Sequence, residues 1–203
     1  MGFYSEMILP RLCDLAMRNK DLVPYRERVI GAAEGRVVEI GVGSGRNLPF
    51  YRPPVKQVLA LEPAPNLIAM ARRAHHPNMP VDFIEGSAEA IPLDNHSVDT
   101  VVTTWTLCSI PQGATALAEM RRVLRPGGKL LFAEHGLAPD KNVRRWQDWL
   151  TPAWKRISGG CHLNRPIQLM IEDAGFRVDR VETGYMPGPK PMTYMYEGSA
   201  RPG

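Results

Sequence analysis

"VVEIGVGSGRN", residues 37–47, joins an apolar run that carries one carboxylate, Glu39, to glycines at alternate positions, Gly41, Gly43 and Gly45. Glycine is the residue for a positive φ and for close approach of the backbone to another group. Here the glycines end a strand-like run instead of filling a linker. The stretch therefore predicts a buried β-strand followed by a tight turn that binds a ligand.

Outward from this stretch, β-branched apolar runs alternate with helical patterns, which is typical of βαβ units around a mainly parallel sheet. Predicted strands cover residues 36–41, 56–62, 81–86, 98–105, 129–135, 176–185 and 193–198, and predicted helices include 65–75, 113–124 and 166–175. "MPGPKP" (186–191) joins the last two strands without a helix, so they are expected to pair antiparallel. The predicted fold class is α/β: a Rossmann-like, doubly wound sheet of seven strands, mainly parallel with a C-terminal antiparallel hairpin.

Composition predicts a single domain, because 203 residues that are 44% hydrophobic and 23% charged suffice for one buried core. Two N-terminal helical patterns (residues 1–34) are expected to cover a crevice in a Rossmann-like core (35–203). The net charge is +4, but basic residues are scattered in pairs such as Arg72 and Arg73. No basic stripe with interleaved aromatic residues is present, so no nucleic-acid partner is expected.

The cysteines and the N-terminus favour a cytoplasmic protein. Cys13, Cys108 and Cys161 are far apart and form no C-x-x-C pair, so neither a disulfide framework nor a metal site is predicted. The first twenty residues lack the features of a signal peptide, and no run approaches the ~18 apolar residues of a membrane span. Apolar residues recur there at helical spacing, which predicts an amphipathic helix packed on the domain, with weak membrane-surface contact as the alternative.

The acids around the glycine run indicate which ligand it binds. A dinucleotide fingerprint needs a third glycine at position 46, where Arg46 stands, and a phosphate-binding G-x-x-x-x-G-K-[ST] is absent. Glu62 ends the second predicted strand, where the acid that binds ribose hydroxyls is expected. Two acids would repel a diphosphate but favour a sulfonium or an ammonium group. This pattern predicts S-adenosylmethionine as the cofactor.

Five ordered stretches carry a family resemblance. They are "VVEIGVGSGRN", "LALEP" (59–63), "GSAEAIPL" (86–93), "SVDTVVTTWTLCSI" (97–110) and "RRVLRPGGKLLFAEHG" (121–136). Across residues 36–136 the chain resembles class I S-adenosylmethionine-dependent methyltransferases. Residues 149–165, "WLTPAWKRISGGCHLNR", are similar to a segment of the methyltransferase-like thiol S-methyltransferases and their bacterial relatives. The mammalian members carry a hydrophobic N-terminal anchor, which the first predicted helix does not match. A weaker similarity connects the core to methyltransferases of quinone and membrane-lipid biosynthesis.

The resemblance implies roles for the cofactor-binding residues. Gly41, Gly43 and Gly45 are expected under the methionine and ribose portions, with Glu39 near the amino group and Glu62 on both ribose hydroxyls. An aspartate often follows the third strand in this family, but Ser87 stands there, so the Ala88 backbone or the Glu89 side chain is expected to recognise adenine. Thr104 is expected at the methionine end, and the implied set also includes Asn47 and Pro63.

Methyl transfer is an in-line displacement that mainly requires donor and acceptor to be aligned in a dry crevice. A base is needed where the acceptor must lose a proton. His135, at the end of the fifth predicted strand, is the first candidate for a base or acceptor-positioning group, and His162 and Cys108 follow. The alternatives are a hydrogen-bonded strand-end histidine, a capping histidine and an inert buried cysteine. An apolar acceptor pocket is predicted from five aromatic residues: Tyr4, Trp105, Trp146, Trp149 and Trp154. The alternative for Trp146 and Trp149 is an amphipathic helix face.

These inferences predict a methyltransferase that uses S-adenosylmethionine and acts on a small, apolar acceptor molecule, with a thiol as the leading candidate. One alternative is N- or C-methylation of a membrane lipid or quinone precursor. Another is a non-catalytic module that binds S-adenosylmethionine. The sequence carries no prediction of oligomeric state.

Overall fold

A computed structural model describes residues 4–74 and 79–203 of the chain. Residues 1–3 of the predicted N-terminal segment and residue 75 of the helix predicted over 65–75 lie outside this part.

The fold is a single sheet with helices on both faces. Its strands, in chain order, are β1 (Gly35–Ile40), β2 (Val55–Glu62), β3 (Val81–Glu85), β4 (Val98–Thr104), β5 (Leu124–His135), β6 (Phe176–Tyr185) and β7 (Tyr194–Pro202). The helices are α1 (Leu9–Ala16), α2 (Val23–Gly31), α3 (Pro65–Ala74), α4 (Gly113–Val123), α5 (Lys141–Ile157), α6 (Ile167–Asp173) and α7 (Lys190–Thr193). Single turns of π- or 3₁₀-helix form at Tyr4–Ile8, Lys20–Leu22 and Leu48–Phe50.

The strand order is β3-β2-β1-β4-β5-β7-β6, and β7 runs antiparallel to both of its neighbours. The other neighbouring strands are parallel. This confirms the predicted mainly parallel, seven-stranded sheet with a C-terminal antiparallel hairpin. Because β1 lies between β2 and β4, the strand order reverses beside it, and a crevice forms at the carboxyl ends of β1 and β4.

Alternate side chains along β1 enter two separate apolar clusters. Val38 and Ile40 belong to the cluster on one face of the sheet, and Val37 belongs to the cluster on the other face. All three side chains are buried. A strand covered on both faces must be apolar almost throughout, which explains why residues 37–40 hold only one charged residue.

The connection between β6 and β7 differs from the prediction. It contains the one-turn helix α7, whereas the sequence predicted no helix there. Prolines at the start of this turn favour helix initiation, because a fixed φ suits the first helical positions. A single turn still returns the chain beside β6, so the hairpin is antiparallel. Among the residues that the structure describes, no helix has the length and apolarity to cross a membrane.

Candidate active site

The turn after β1, residues 41–47, is named the glycine loop. Gly41, Gly43 and Gly45 all have positive φ values, of 69°, 56° and 81°. A Cβ atom at Gly41 would lie 2.5 Å from Cγ2 of Thr106, and one at Gly45 would lie 3.1 Å from Ala71. At Gly43 the nearest atom would be the Gly41 oxygen at 4.0 Å. The first and third glycines are therefore required by packing, whereas the middle one borders open space.

Glu62, the last residue of β2, lies beside this loop. Its carboxylate accepts hydrogen bonds from the backbone N–H of Gly43 at 3.0 Å and of Ala64 at 3.1 Å. Burial raises the pKa of Glu62 above its ordinary value, although both N–H donors act to lower it. Each carboxylate oxygen can still accept a further hydrogen bond. A carboxylate held in this way next to the open space at Gly43 fits the two hydroxyls of an adenosyl ribose.

Beneath the loop, Glu39 is the centre of a buried polar network. Its carboxylate accepts hydrogen bonds from Asn47 Nδ2 at 2.8 Å and from the Tyr51 hydroxyl at 3.0 Å. Asn47 Nδ2 also donates to Thr104 Oγ1 at 2.8 Å, and its Oδ1 accepts from Arg26 Nε at 3.0 Å. Burial raises the pKa of Glu39 to about 7 against the opposing effect of these hydrogen bonds. The network fixes the loop to β1, β4 and α2.

The segment expected to recognise adenine is arranged by local hydrogen bonds. Ser87 Oγ accepts from the Glu89 N–H at 3.1 Å, and the Glu89 carboxylate accepts from the Gln112 N–H at 2.7 Å. Ala88 is buried, whereas Pro63 is exposed. Glu89 therefore connects the turn after β3 to the start of α4.

Helix α1 is attached to the glycine loop through Asp14. This side chain is 5% exposed and accepts hydrogen bonds from Ser44 Oγ at 2.6 Å and Arg46 Nε at 2.8 Å. Arg18, in the turn that follows the helix, donates to the same carboxylate. Although burial acts to raise it, these hydrogen bonds hold the pKa of Asp14 below its ordinary value. Sequence reasoning missed this anchor, because an acid on an amphipathic helix is normally solvated.

Cys108, His135 and Cys161 converge at the carboxyl ends of β4 and β5, and are named the Cys–His–Cys cluster. Their sulfur and ring nitrogen atoms all lie within 4.8 Å of one another. His135 Nε2 lies 3.0 Å from Cys161 Sγ, and Trp154 Nε1 donates to the same sulfur at 3.4 Å. His135 Nδ1 is buried and has no hydrogen-bond partner within residues 4–74 and 79–203.

The environment of the cluster shifts the ionisation of its members. The Cys108 thiol and burial raise the pKa of Cys161 far above its ordinary value. Against the effect of burial, the Cys161 thiol raises the pKa of His135. Cys161 was not among the sequence candidates, because the loop that carries it gives no strand-end signal.

His162 lies beside the cluster. Its Nδ1 contacts the Cys108 carbonyl oxygen at 3.1 Å, and its backbone N–H donates to that oxygen at 2.9 Å. Burial and the Arg165 charge lower the pKa of His162, which favours the neutral ring. His162 thereby ties the loop after α5 to the segment after β4.

The aromatic residues predicted to form one acceptor pocket occupy separate environments. Trp105 packs edge-on against Tyr25, with the Arg26 guanidinium 5.2 Å from its ring centre. Trp146 and Trp149 contact each other on α5 and are 56% and 71% exposed. The Tyr4 hydroxyl donates to the Ile157 oxygen at 2.6 Å. The last two contacts both involve α5, whereas Trp105 packs against α2, and none of these contacts joins the five rings together.

Comparisons with known proteins agree with this geometry. A family model described as "Methyltransferase domain" matches residues 38–132. Thiol S-methyltransferase TMT1B of Rattus norvegicus is 37% identical over 161 residues, covering 77% of this chain and 65% of the relative. Thiol S-methyltransferase TMT1A of Homo sapiens is 34% identical over 168 residues, covering 80% of this chain and 68% of the relative. The chain thus spans about two thirds of the length of these relatives.

Among solved structures, a chain from the complex between the Haloferax volcanii Trm112 methyltransferase activator and a methyltransferase superposes with a TM-score of 0.71. The sequence identity is 19%, and the match covers 95% of this chain and 93% of the other. At this identity the likeness concerns the fold.

Proposed function

The chain belongs to the family of S-adenosylmethionine-dependent methyltransferases, and from this membership we propose that it methylates the sulfur of a small, apolar thiol. S-adenosylmethionine is the cofactor that the family uses. Relatives named as thiol S-methyltransferases, at 34% and 37% identity, support the choice of acceptor. Residues 149–165, where the sequence resembles these relatives, contain Cys161 of the Cys–His–Cys cluster and Trp154, which donates a hydrogen bond to its sulfur.

The observation that carries the proposal is that helix α1 contacts both regions: Asp14 accepts a hydrogen bond from Ser44 of the glycine loop, and Leu9 packs against Gly159 in the loop that carries Cys161. Burial raises the pKa of the Cys13 thiol on α1, and the charges of Glu62 and Cys161 raise it further. Cys13 therefore lies within electrostatic reach of both groups. A ribose-binding acid and a sulfur-rich acceptor region beneath the same helix support transfer of a methyl group between two sulfur atoms.

When bound, S-adenosylmethionine supplies a methyl group on a positively charged sulfonium, which is already a good leaving group. Glu62 and the glycine loop hold the adenosyl portion, and the Glu39 network keeps the loop rigid. Helix α1, attached through Asp14, excludes water from the crevice. Alignment of donor and acceptor in such a site supplies roughly 7 to 11 kcal/mol of the barrier reduction.

At the acceptor end, His135, His162 and Cys108 are the candidate catalytic residues that the sequence named. His162 is engaged with the Cys108 backbone, so it positions the neighbouring loop. His135 has one ring nitrogen against Cys161 and the other without a partner among the described residues, so it is the group available to interact with the acceptor.

The test is incubation of the purified chain with methyl-labelled S-adenosylmethionine and a panel of small acceptors. Alkyl and aryl thiols, amines, phenols, quinone precursors and lipid vesicles make up the panel. Label is expected on sulfur, as a thioether, and Glu62→Ala is expected to reduce labelling strongly when the donor is below saturation. Label on a quinone or lipid would establish the alternative acceptor class, and donor binding without transfer to any acceptor would indicate a binding module.

A further inference from the structure

The Cys–His–Cys cluster is built from three distant segments. Cys108 follows the end of β4, His135 is the last residue of β5, and Cys161 lies in the loop after α5. Strands β4 and β5 are parallel neighbours, with Thr104 opposite Ala133. Their carboxyl ends therefore bring a thiol and an imidazole together at one edge of the sheet, and the loop adds a second thiol.

The geometry of the cluster matches a set of metal ligands. In a tetrahedral zinc site, Zn–S bonds of about 2.3 Å and Zn–N bonds of about 2.0 Å place neighbouring ligand atoms ~3.5 Å apart. Here the ligand atoms lie within 4.8 Å of one another, and His135 Nε2 is 3.0 Å from Cys161 Sγ. The Cys108 and Cys161 side chains are 2% and 8% exposed. Small side-chain adjustments therefore suffice to surround a single ion.

We propose that Cys108, His135 and Cys161 bind a zinc ion with three protein ligands, and that the fourth position accepts the sulfur of the substrate thiol. Two thiolates and one imidazole with an open position are a ligand set used by catalytic zinc sites. The identity of the fourth ligand rests on the proposed thiol methylation, whereas the binding of zinc does not.

Neighbouring groups are arranged to support such ligands. Trp154 Nε1 donates to Cys161 Sγ, as a hydrogen bond to a coordinating thiolate requires. Glu134 accepts hydrogen bonds from the N–H groups of Thr106 and Leu107, which fixes the segment that carries Cys108. Arg165 is held at the Leu107 carbonyl oxygen and places a positive charge beside the cluster. Two thiolates neutralise the charge of the zinc ion, so this site does not require a carboxylate side chain as an additional ligand.

Zinc at this position explains how the acceptor is activated without a dedicated base. A thiol that joins the metal loses its proton to solvent, because coordination stabilises the thiolate. The thiolate sulfur then attacks the methyl carbon: a new S–C bond forms, and the bond to the donor sulfur breaks with its electron pair going to that sulfur. The products are a neutral thioether and a neutral adenosyl thioether. In this arrangement His135 is a ligand and does not accept the proton.

The first experiment measures zinc binding by the full chain in the absence of donor and acceptor. Reduced protein is treated with a chelator, dialysed, and titrated with zinc against a chromophoric competitor, with metal analysis of the product. One zinc per chain is expected. Cys108→Ser, Cys161→Ser and His135→Gln should each weaken binding by about 100-fold or more, whereas Cys13→Ser, the matched control outside the cluster, should not.

Equal zinc affinity in the wild type and the cluster variants would overturn the proposal, as would the absence of stoichiometric binding. Loss of binding in Cys13→Ser would contradict the three-ligand arrangement. A Cys108–Cys161 disulfide in the freshly isolated protein, with no metal uptake after reduction, would identify a redox pair instead. Because a cluster variant can fail to fold, the chelated and zinc-loaded wild type are also compared by thermal unfolding, where zinc should raise the transition temperature.

The second experiment tests the fourth ligand with cobalt in place of zinc. Tetrahedral cobalt with thiolate ligands has strong visible absorption, and addition of a small thiol without donor should change this spectrum, whereas the matching alcohol should not. An unchanged spectrum would restrict the ion to a structural role and overturn the acceptor part. Full methyl transfer by protein that metal analysis shows to be zinc-free would refute the role of zinc in activating the acceptor, while leaving thiol methylation intact. Stoichiometric zinc binding without methyl transfer to any thiol would refute thiol methylation and leave the binding of zinc intact.

Discussion

The proposed donor side and the proposed acceptor side of the crevice are built in different ways. The donor side consists of the glycine loop, the residues beneath it and Glu62 at the end of the adjacent strand. The acceptor side joins α1, the ends of β4 and β5, and the loop after α5, which are far apart in the sequence. One side is a local backbone conformation between neighbouring strands, and the other exists only once the chain has folded.

The two sides also differ in how their buried polar groups are satisfied. On the donor side, Glu39, Asn47 and Glu62 all have hydrogen-bond partners within the protein. On the acceptor side, His135 Nδ1 and Glu134 Oε2 are buried without a partner among the residues described. Because an unpaired buried polar group is costly, the donor side is preorganised, whereas the acceptor side is where a further ligand has most to contribute.

Removal of the Glu62 carboxylate is expected to have the largest effect and to be confined to the donor side. Glu62→Ala removes the charged acceptor of two hydrogen bonds that the ribose hydroxyls donate, each contributing about 1.5 to 3 kcal/mol, so donor affinity should fall by roughly 100-fold or more. Isothermal titration calorimetry with S-adenosylmethionine measures this directly. The exposed Glu85, opposite Glu62 in the parallel register, provides the matched control Glu85→Ala. Equal affinities in the two variants would remove Glu62 from the ribose site.

The second expected effect concerns the pH dependence of stability and arises from Glu39. Its pKa is about 7 in the folded chain against an ordinary value of 4.5, so the folded state binds more protons between these values. The free energy of unfolding must therefore decrease as the pH rises through this window. Between pH 5 and pH 8 the wild type should lose about 2 to 3 kcal/mol more than Glu39→Gln.

Urea unfolding of both proteins at pH 5, 6, 7 and 8 measures that difference. Contributions from the other buried carboxylates cancel, because both proteins contain them. Glu85→Gln removes an exposed carboxylate and should follow the wild-type profile. Parallel profiles for the wild type and Glu39→Gln would show that folding does not raise the pKa of Glu39, and that the hydrogen bonds from Asn47 and Tyr51 offset its burial.

The same contrast explains how much the sequence could predict. Strand periodicity predicted the sheet and its hairpin, which the structure confirms, and the glycine spacing predicted the residues proposed for the donor side, because these signals are local. The buried network around Glu39 was not predictable, since Tyr51 contacts Glu39 directly and Arg26 joins through Asn47, each from a separate element. Cys161 was missed because only tertiary structure brings its loop to His135. Zinc sites are recognised in a sequence by ligands at short, regular spacings. Cys108, His135 and Cys161 are far apart in the sequence, so this signal is absent.

Helix α1 connects the two sides, and weakening its anchor is expected to have an intermediate effect. Asp14→Asn removes the charge that Arg18 and Arg46 contact, so the helix should detach more often. If the free energy that holds α1 on the glycine loop falls by about 1.5 kcal/mol, the rate of tryptic cleavage after the exposed Arg11 should rise roughly tenfold. Asp21→Asn, at an exposed acid in the following turn, is the control. Unchanged cleavage in Asp14→Asn would show that other contacts hold α1.

The smallest expected effect separates ligand binding from packing within the glycine loop itself. Gly43→Ala introduces a methyl group into open space, so it should cost only the strain of a positive φ, about 1 kcal/mol of unfolding free energy. Donor affinity should nevertheless fall roughly fivefold, because the methyl group occupies the surface on which the ligand lies. Gly45→Ala carries the same strain together with 3.1 Å contacts to Ala71 and Leu48.

Gly45→Ala should therefore be less stable than Gly43→Ala while binding the donor more tightly, once affinities are measured under conditions in which both variants are fully folded. Urea unfolding gives the first quantity and calorimetry the second. The decisive result is that stability and donor affinity rank the two variants in opposite orders. A general loosening of the loop would instead lower both quantities most in the same variant. If Gly43→Ala bound the donor as well as the wild type, the open space at that glycine would not be the ligand surface, and the donor side would have to be assigned elsewhere in the crevice.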